Sequence, residues 1–154
     1  MRIKRTVYDI VVNVLCIGML LGVIIYLFIN WSNIPDNLAG HYNAAGNIDR
    51  WGSKGEILIT PIIAWIMYIG LTIIERFPQI WNTGIKVTES NKEKVYRILK
   101  NLLGTLKVYL VFIFLFITVY QSILLPLPTW FLPVSLILVF GTLLFFIVKL
   151  VKIK

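Results

Sequence analysis

The chain has 154 residues, 58% of them hydrophobic and only 14% charged, with a formal net charge of +8. Soluble domains carry roughly 25% charged residues, and a single soluble domain of this length could not hide so much apolar surface, so lipid is the solvent this composition calls for. The basic residues lie in clusters beside long apolar runs, which fits anionic headgroups better than a nucleic-acid-binding face. No nucleic-acid-binding signature accompanies them.

The first apolar run covers 10–29, after Arg2, Lys4 and Arg5. About 20 residues suffice to cross the hydrocarbon core as a helix. Phe28, Ile29, Asn30 and Trp31 close the run without a small-residue cleavage site, so it is read as a retained anchor rather than a signal peptide. Cys16, the single cysteine, lies inside it and is expected to act as a small apolar side chain. The second run is 57–74, with Pro61 in its first turn, where a missing N–H costs least. The third is 102–125; Lys107 is its interior charge, expected to snorkel to the headgroups, and Pro126 and Pro128 are expected to end it. The fourth is 130–150, closed by Lys149, Lys152 and Lys154.

These runs predict an all-α, polytopic membrane protein of four transmembrane helices forming a single domain. Lys and Arg collect at the N-terminus, in segment 75–101 and at the C-terminus, and loop 30–56 is nearly balanced in charge. By the bias of cytoplasmic loops toward Lys and Arg, both termini and 75–101 lie inside, and 30–56 forms a structured loop outside. Trp31, Trp51, Trp81 and Trp130 fall near the predicted boundaries, as an aromatic belt would place them. In the inner segment Ser90-x-x-Glu93 reads as a capping box, with Glu93 and Arg97 as i,i+4 partners. A helix is expected from about Asn91 straight into the third span, its basic face against lipid.

Chemistry concentrates in the outer loop, which holds His41, the only histidine, with Asn43, Asp49, Trp51 and Lys54. Gly46-Asn47 and Trp51-Gly52 read as turns needing positive φ. The five residues are the candidate ligand-binding set: His41 a switchable donor, Asp49 an acceptor, Lys54 a cation, Trp51 amphipathic contact area. A purely structural reading has His41, Asn43 and Asp49 bonding turn amides and Lys54 pairing with Asp49. Metal binding through His41 and Asp49 would lack the third and fourth ligands that zinc needs, and no cofactor is expected. Neither H-E-x-x-H nor G-x-S-x-G occurs, so no catalysis is expected.

The run IPDNLAGHYNAAGNIDRWGSKGEILITP resembles a small bacterial membrane domain, the family called domain of unknown function 1648. Its loose pattern H-x-N-x-x-G-x-x-D-x-W-G-x-K, flanked by prolines, falls here on Pro35, His41, Asn43, Gly46, Asp49, Trp51, Gly52, Lys54 and Pro61. More weakly, 82–91 resembles the cytoplasmic connection of that family. The domain also occurs in SdpI-type immunity proteins, which protect bacteria against a secreted toxic peptide; those have helices beyond the four predicted here. The resemblance implies a multi-pass protein of the bacterial plasma membrane, binding a peptide or envelope component through its outer loop in an immunity or accessory role. Its expected partners are the lipid bilayer, an extracellular peptide, and a second copy or another membrane protein. The alternative from another class is a small transporter or channel subunit.

Overall fold

A computed structural model describes residues 3–153; Arg2 and Lys154, used above for orientation, lie outside that range. The chain runs through helix α1 (Val7–Asn30), a hairpin of strands β1 (Asn37–Tyr42) and β2 (Ile48–Ser53), then helices α2 (Ile59–Ile74), α3 (Lys92–Ser122) and α4 (Phe131–Val151). Among the described residues four helices are long and apolar enough to cross a membrane. The chain thus has the make-up of a multi-pass membrane protein, mostly helical but not all-α, because the loop between α1 and α2 pairs into a two-stranded sheet.

Each helix starts and stops for a local reason. Thr6 and Asp9 form a capping box at the start of α1, the Asp9 carboxylate accepting from the Thr6 amide at 2.8 Å. Before α2 the Glu56 carboxylate likewise takes the Ser53 amide, at 3.0 Å. The box expected from Ser90 and Glu93 does not form. Thr88 and Asn91 exchange bonds instead, Asn91 Oδ1 accepting from the Thr88 amide at 2.8 Å and Thr88 Oγ1 from the Asn91 amide. The unbroken helix from there into the third span is present. It stops at Ser122, short of the prolines expected to end it. The amides of Leu124 and Leu125 turn back to the carbonyls of Gln121 and Tyr120, with Leu124 at φ 55°. That double bond is a Schellman stop, made here by a leucine in the left-handed region that glycine usually occupies.

The antiparallel bundle is organised on α3, which packs against α1, α2 and α4. On α1 the buried positions Val12, Cys16, Leu20, Val23 and Leu27 recur every three or four residues, one stripe of a helix. They meet Val111 and Leu115 of α3, with Ala64 and Tyr68 of α2 in the same core. Gly104 of α3 lies against Tyr8 and Val12 of α1. By contrast α4 fully buries only Phe131 and Leu150, and most of its other apolar side chains are exposed. A second, smaller core of Val95, Leu99 and Leu150 sits under segment 75–91, beyond the hairpin-distal ends of the spans.

Lys107 overturns one expectation outright. It does not snorkel: its exposure is 0%, and Nζ lies 2.7 Å from the Glu75 carboxylate at the end of α2. The ammonium also donates to Asn13 Oδ1 and Thr72 Oγ1, both at 3.2 Å, and lies over the Tyr68 ring. Arg97 turns inward too, bonding Asp9 at 3.0 Å rather than Glu93, and Lys100 meets the same carboxylate at 3.2 Å. The basic face expected against lipid is in part the inner wall of the bundle. The reason is the carboxylates of Asp9 and Glu75, which need cations once the helix ends bury them. Removing one partner strands the other charge, at a cost of about 3–5 kcal/mol. Lys107→Met should therefore lower the unfolding temperature in detergent sharply, and Lys107→Met/Glu75→Gln should recover much of the loss; equal losses would mean the pair is uncoupled.

Candidate functional site

The hairpin owes its shape to two irregularities and one turn. Asn37, Leu38 and Ala39 pair with Ser53, Gly52 and Trp51; then His41 pairs with Arg50 and Tyr42 with Ile48, leaving Gly40 and Asp49 unpaired. Bulges of this kind re-aim side chains. Here the extra residue, Asp49, brings Oδ1 within 2.6 Å of His41 Nδ1. A carboxylate only accepts, so Nδ1–H donates and Nε2 is left as the open ring nitrogen. The pair is solvated, at 63% and 41% side-chain exposure.

Asn43 is consumed by the turn. Its Oδ1 accepts from the amides of Ala45 and Asn47, and its own amide donates to the Asn47 carbonyl. Gly46 has φ +84°, the positive value expected of it. Trp51-Gly52, expected as a second turn, instead lies within β2. Gly40 and Gly52 have a different purpose. A Cβ on Gly40 would lie 2.9 Å from the Arg50 guanidinium, and one on Gly52 2.5 Å from the Glu56 carboxylate. The bare backbone leaves room for the 2.8 Å Arg50–Glu56 ion pair, which also ties Arg50 to the Gly40 carbonyl.

The hairpin is clamped to the bundle. Leu38 and Ala39 are fully buried, and Gln121 Nε2 donates to the Ala39 carbonyl at 2.9 Å. Thr60 of α2 bonds both Thr118 and Gln121 of α3 beneath it. Tyr42 donates its hydroxyl to the Leu125 carbonyl, and burial pushes its phenol up to about 12, so it remains a donor at neutral pH. The amide of Leu127, between α3 and α4, donates to the Gly46 carbonyl at 2.8 Å.

Of the five candidate residues the structure joins His41 to Asp49. Lys54 does not pair with Asp49; its ammonium sits 5.0 Å from the centre of the Trp31 ring, a cation–π contact. Trp51 stays exposed opposite Ala39. His41 and Asn43 instead border a cavity of about 640 Å³ between the hairpin turn, α3 and α4, walled by apolar side chains such as Ile117, Leu136 and Phe140. Sequence reasoning missed this α3–α4 wall because an apolar helix face looks the same against lipid as against a ligand. It also missed the charged cluster at the opposite end, where Asp9 and Asn13, one turn apart on α1, were the available signal.

Adding a side chain at Gly46 tests the clamp. Its Cβ would meet the Leu127 carbonyl oxygen at 2.5 Å, in a backbone region that alanine resists. Gly46→Ala should destabilise by more than about 1 kcal/mol and expose the hairpin to proteolysis. Gly55→Ala, with open space around it, should do neither.

Comparison with known proteins bears on this same region. A protein of Archaeoglobus fulgidus described as uncharacterized is 35% identical over 66 residues, which is 38% of this chain and 36% of that protein. The chain therefore spans only about a third of that relative's length. No solved structure matches. Residues 18–65 match the family described as Domain of unknown function (DUF1648), from the middle of α1, through the whole hairpin, into α2. This is the family that the loop pattern pointed to, and the match supports that resemblance over those residues.

Proposed function

We propose that this is a small, non-enzymatic accessory or immunity-type protein of the bacterial plasma membrane, SdpI-like, which binds an amphipathic peptide at its hairpin end. One observation carries the reading: the apolar cavity under the hairpin turn is also lined by a few polar residues, His41 with its Nε2 unengaged, Asn43, Thr60 and Gln121. Such a site suits a ligand with one part in hydrocarbon and another in the headgroup region, where amphipathic peptides lie. Trp51, exposed on β2 of the same hairpin, adds contact area of the kind that interfaces use. In this reading the hairpin faces out and both termini face in, following the Lys and Arg bias.

A transporter or channel subunit is the second reading, favoured by the buried Lys107–Glu75 pair, since ionisable groups inside a membrane mark conduction paths by default. Against it, positions 10–30, 57–74, 108–125 and 127–148 contain no Asp, Glu, Lys or Arg. The charges stop at one end of the bundle and line no path through it.

Two experiments test the leading reading. For orientation, Ala44→Cys should label with an impermeant maleimide in intact cells and Lys94→Cys only after permeabilisation; native Cys16 is buried and gives little background. The reverse pattern would turn the hairpin inward and end the proposal. For binding, cells expressing the protein should resist at least one of a panel of membrane-active peptides. His41→Ala, and Leu136→Trp to fill the cavity, should each lose most of that resistance at equal abundance. Resistance to none of the panel, or resistance untouched by both changes, would reject the site.

A further inference from the structure

The end of the bundle away from the hairpin has a cavity of its own, about 540 Å³, with the opposite chemistry. It is lined by Arg5, Asp9, Asn13, Glu75, Arg76 and Lys100, among others, and by little apolar surface. Its two carboxylates are already engaged: Asp9 by Arg97 and Lys100, Glu75 by Lys107. Arg5 and Arg76 reach the same cavity with no ion-pair partner among the described residues. Counting Arg97 and Lys107 behind the wall, five cations face two anions. The start of α1, whose helix dipole also presents partial positive charge, is at Thr6 and Val7 beside it.

We propose that this cavity binds a phosphate group, with Arg5 and Arg76 as its ligands and Lys100 at its back. Guanidinium groups fit phosphate oxygens in paired hydrogen bonds, a match that a lysine ammonium does not supply. The position favours a phosphate carried by a lipid headgroup, because the cavity lies where α1 and α2 leave the apolar zone: Asp9 is in the first turn of one and Glu75 follows the last residue of the other. Free inorganic phosphate would satisfy the same groups. The site stands apart from the peptide reading of the hairpin and from the orientation of the protein, since both leaflets offer headgroups.

The test compares the purified protein in nanodiscs of phosphatidylcholine alone and of phosphatidylcholine with phosphatidylglycerol, counting co-isolated lipid by native mass spectrometry. Wild type should retain phosphatidylglycerol selectively, and Arg5→Gln/Arg76→Gln should reduce retention at least fivefold. Lys92→Gln/Lys94→Gln, which removes the same charge outside the cavity, should leave retention unchanged. If inorganic phosphate raises the unfolding temperature in phosphatidylcholine alone, and the cavity variant abolishes that shift, free phosphate is the occupant. Arg5→Lys/Arg76→Lys, keeping the charge but not the fork, controls for folding and should bind in between. Equal loss in both charge-removing variants would reduce the effect to diffuse attraction and overturn the proposal, as would lipid retention and phosphate response that neither variant changes.

Discussion

Lys107 has no exposed surface, and everything around it is arranged to make that tolerable. An isolated ammonium in a low-dielectric core would cost several kcal/mol, more than any one packing contact supplies. It is held by a carboxylate from α2, an amide from α1, a hydroxyl from α2 and an aromatic face. Those partners come from the two helices that pack most of the core with α3, so the charge fixes their rotation and height together. Farther along the same side of α3, Thr118, Gln121 and Ser122 bond Thr60, the Ala39 carbonyl and Tyr26. Between the two networks the buried side chains are apolar. Because lipid offers no hydrogen bonds, polar groups at such depth must find one another. Here they do so at the middle and at the hairpin-side end of one helix.

α4 lacks any such tie, and its loose packing follows. It meets α3 through aromatic stacking of Phe131 on Phe116, centroids 4.6 Å apart, and through Leu150 in the small second core. Between those points α3 and α4 leave room for the apolar cavity. The hairpin bridges the gap from above, since the Gly46–Leu127 bond fastens its turn to the connection entering α4. The glycines of the loop pattern thus have separate tasks. Gly46 supplies a left-handed turn and close approach, while Gly40 and Gly52 make space for the ion pair between Arg50 of β2 and Glu56 just after it.

What was legible in the sequence divides along physical lines. Span length and apolarity are local sums, and they placed four helices within a few residues. Pattern also found the loop that carries the domain, and the positive φ of Gly46. Pairing was harder. The motif of a hydroxyl residue followed three positions later by an acid stands at the start of a helix at Thr6/Asp9, Ser53/Glu56 and Ser90/Glu93, and of these only the third loses, to a Thr88–Asn91 pair two residues upstream. Lys107, Arg97 and Lys100 were misplaced because their partners are far away in sequence; Asp9 is 88 residues from Arg97. Local spacing offered Arg97 a nearby glutamate, while folding offered it a buried carboxylate, and the buried charge has more to gain. Lys54 shows the converse, since Asp49 already had His41.

The two cavities differ in sign and in solvent, yet α3 forms part of the wall or backing of both. Gln121 and Lys107 lie about 21 Å apart along its axis at 1.5 Å per residue. No glycine or proline interrupts the helix between them. A ligand that spread α3 from α4 under the hairpin could not be absorbed by a kink in that stretch. The helix would tilt as a rod against α1 and α2, and the charged contacts at its far end would have to shift with it. Apolar side chains slide past one another at little cost, but a buried ammonium held by four groups does not. Coupling between the ends would therefore be governed by the Lys107–Glu75 pair, whereas α4, held only by apolar contact, is the element able to yield without disturbing it. In the peptide reading, α1, α2 and α3 would stay a fixed frame, and occupancy would show in the position of the last helix.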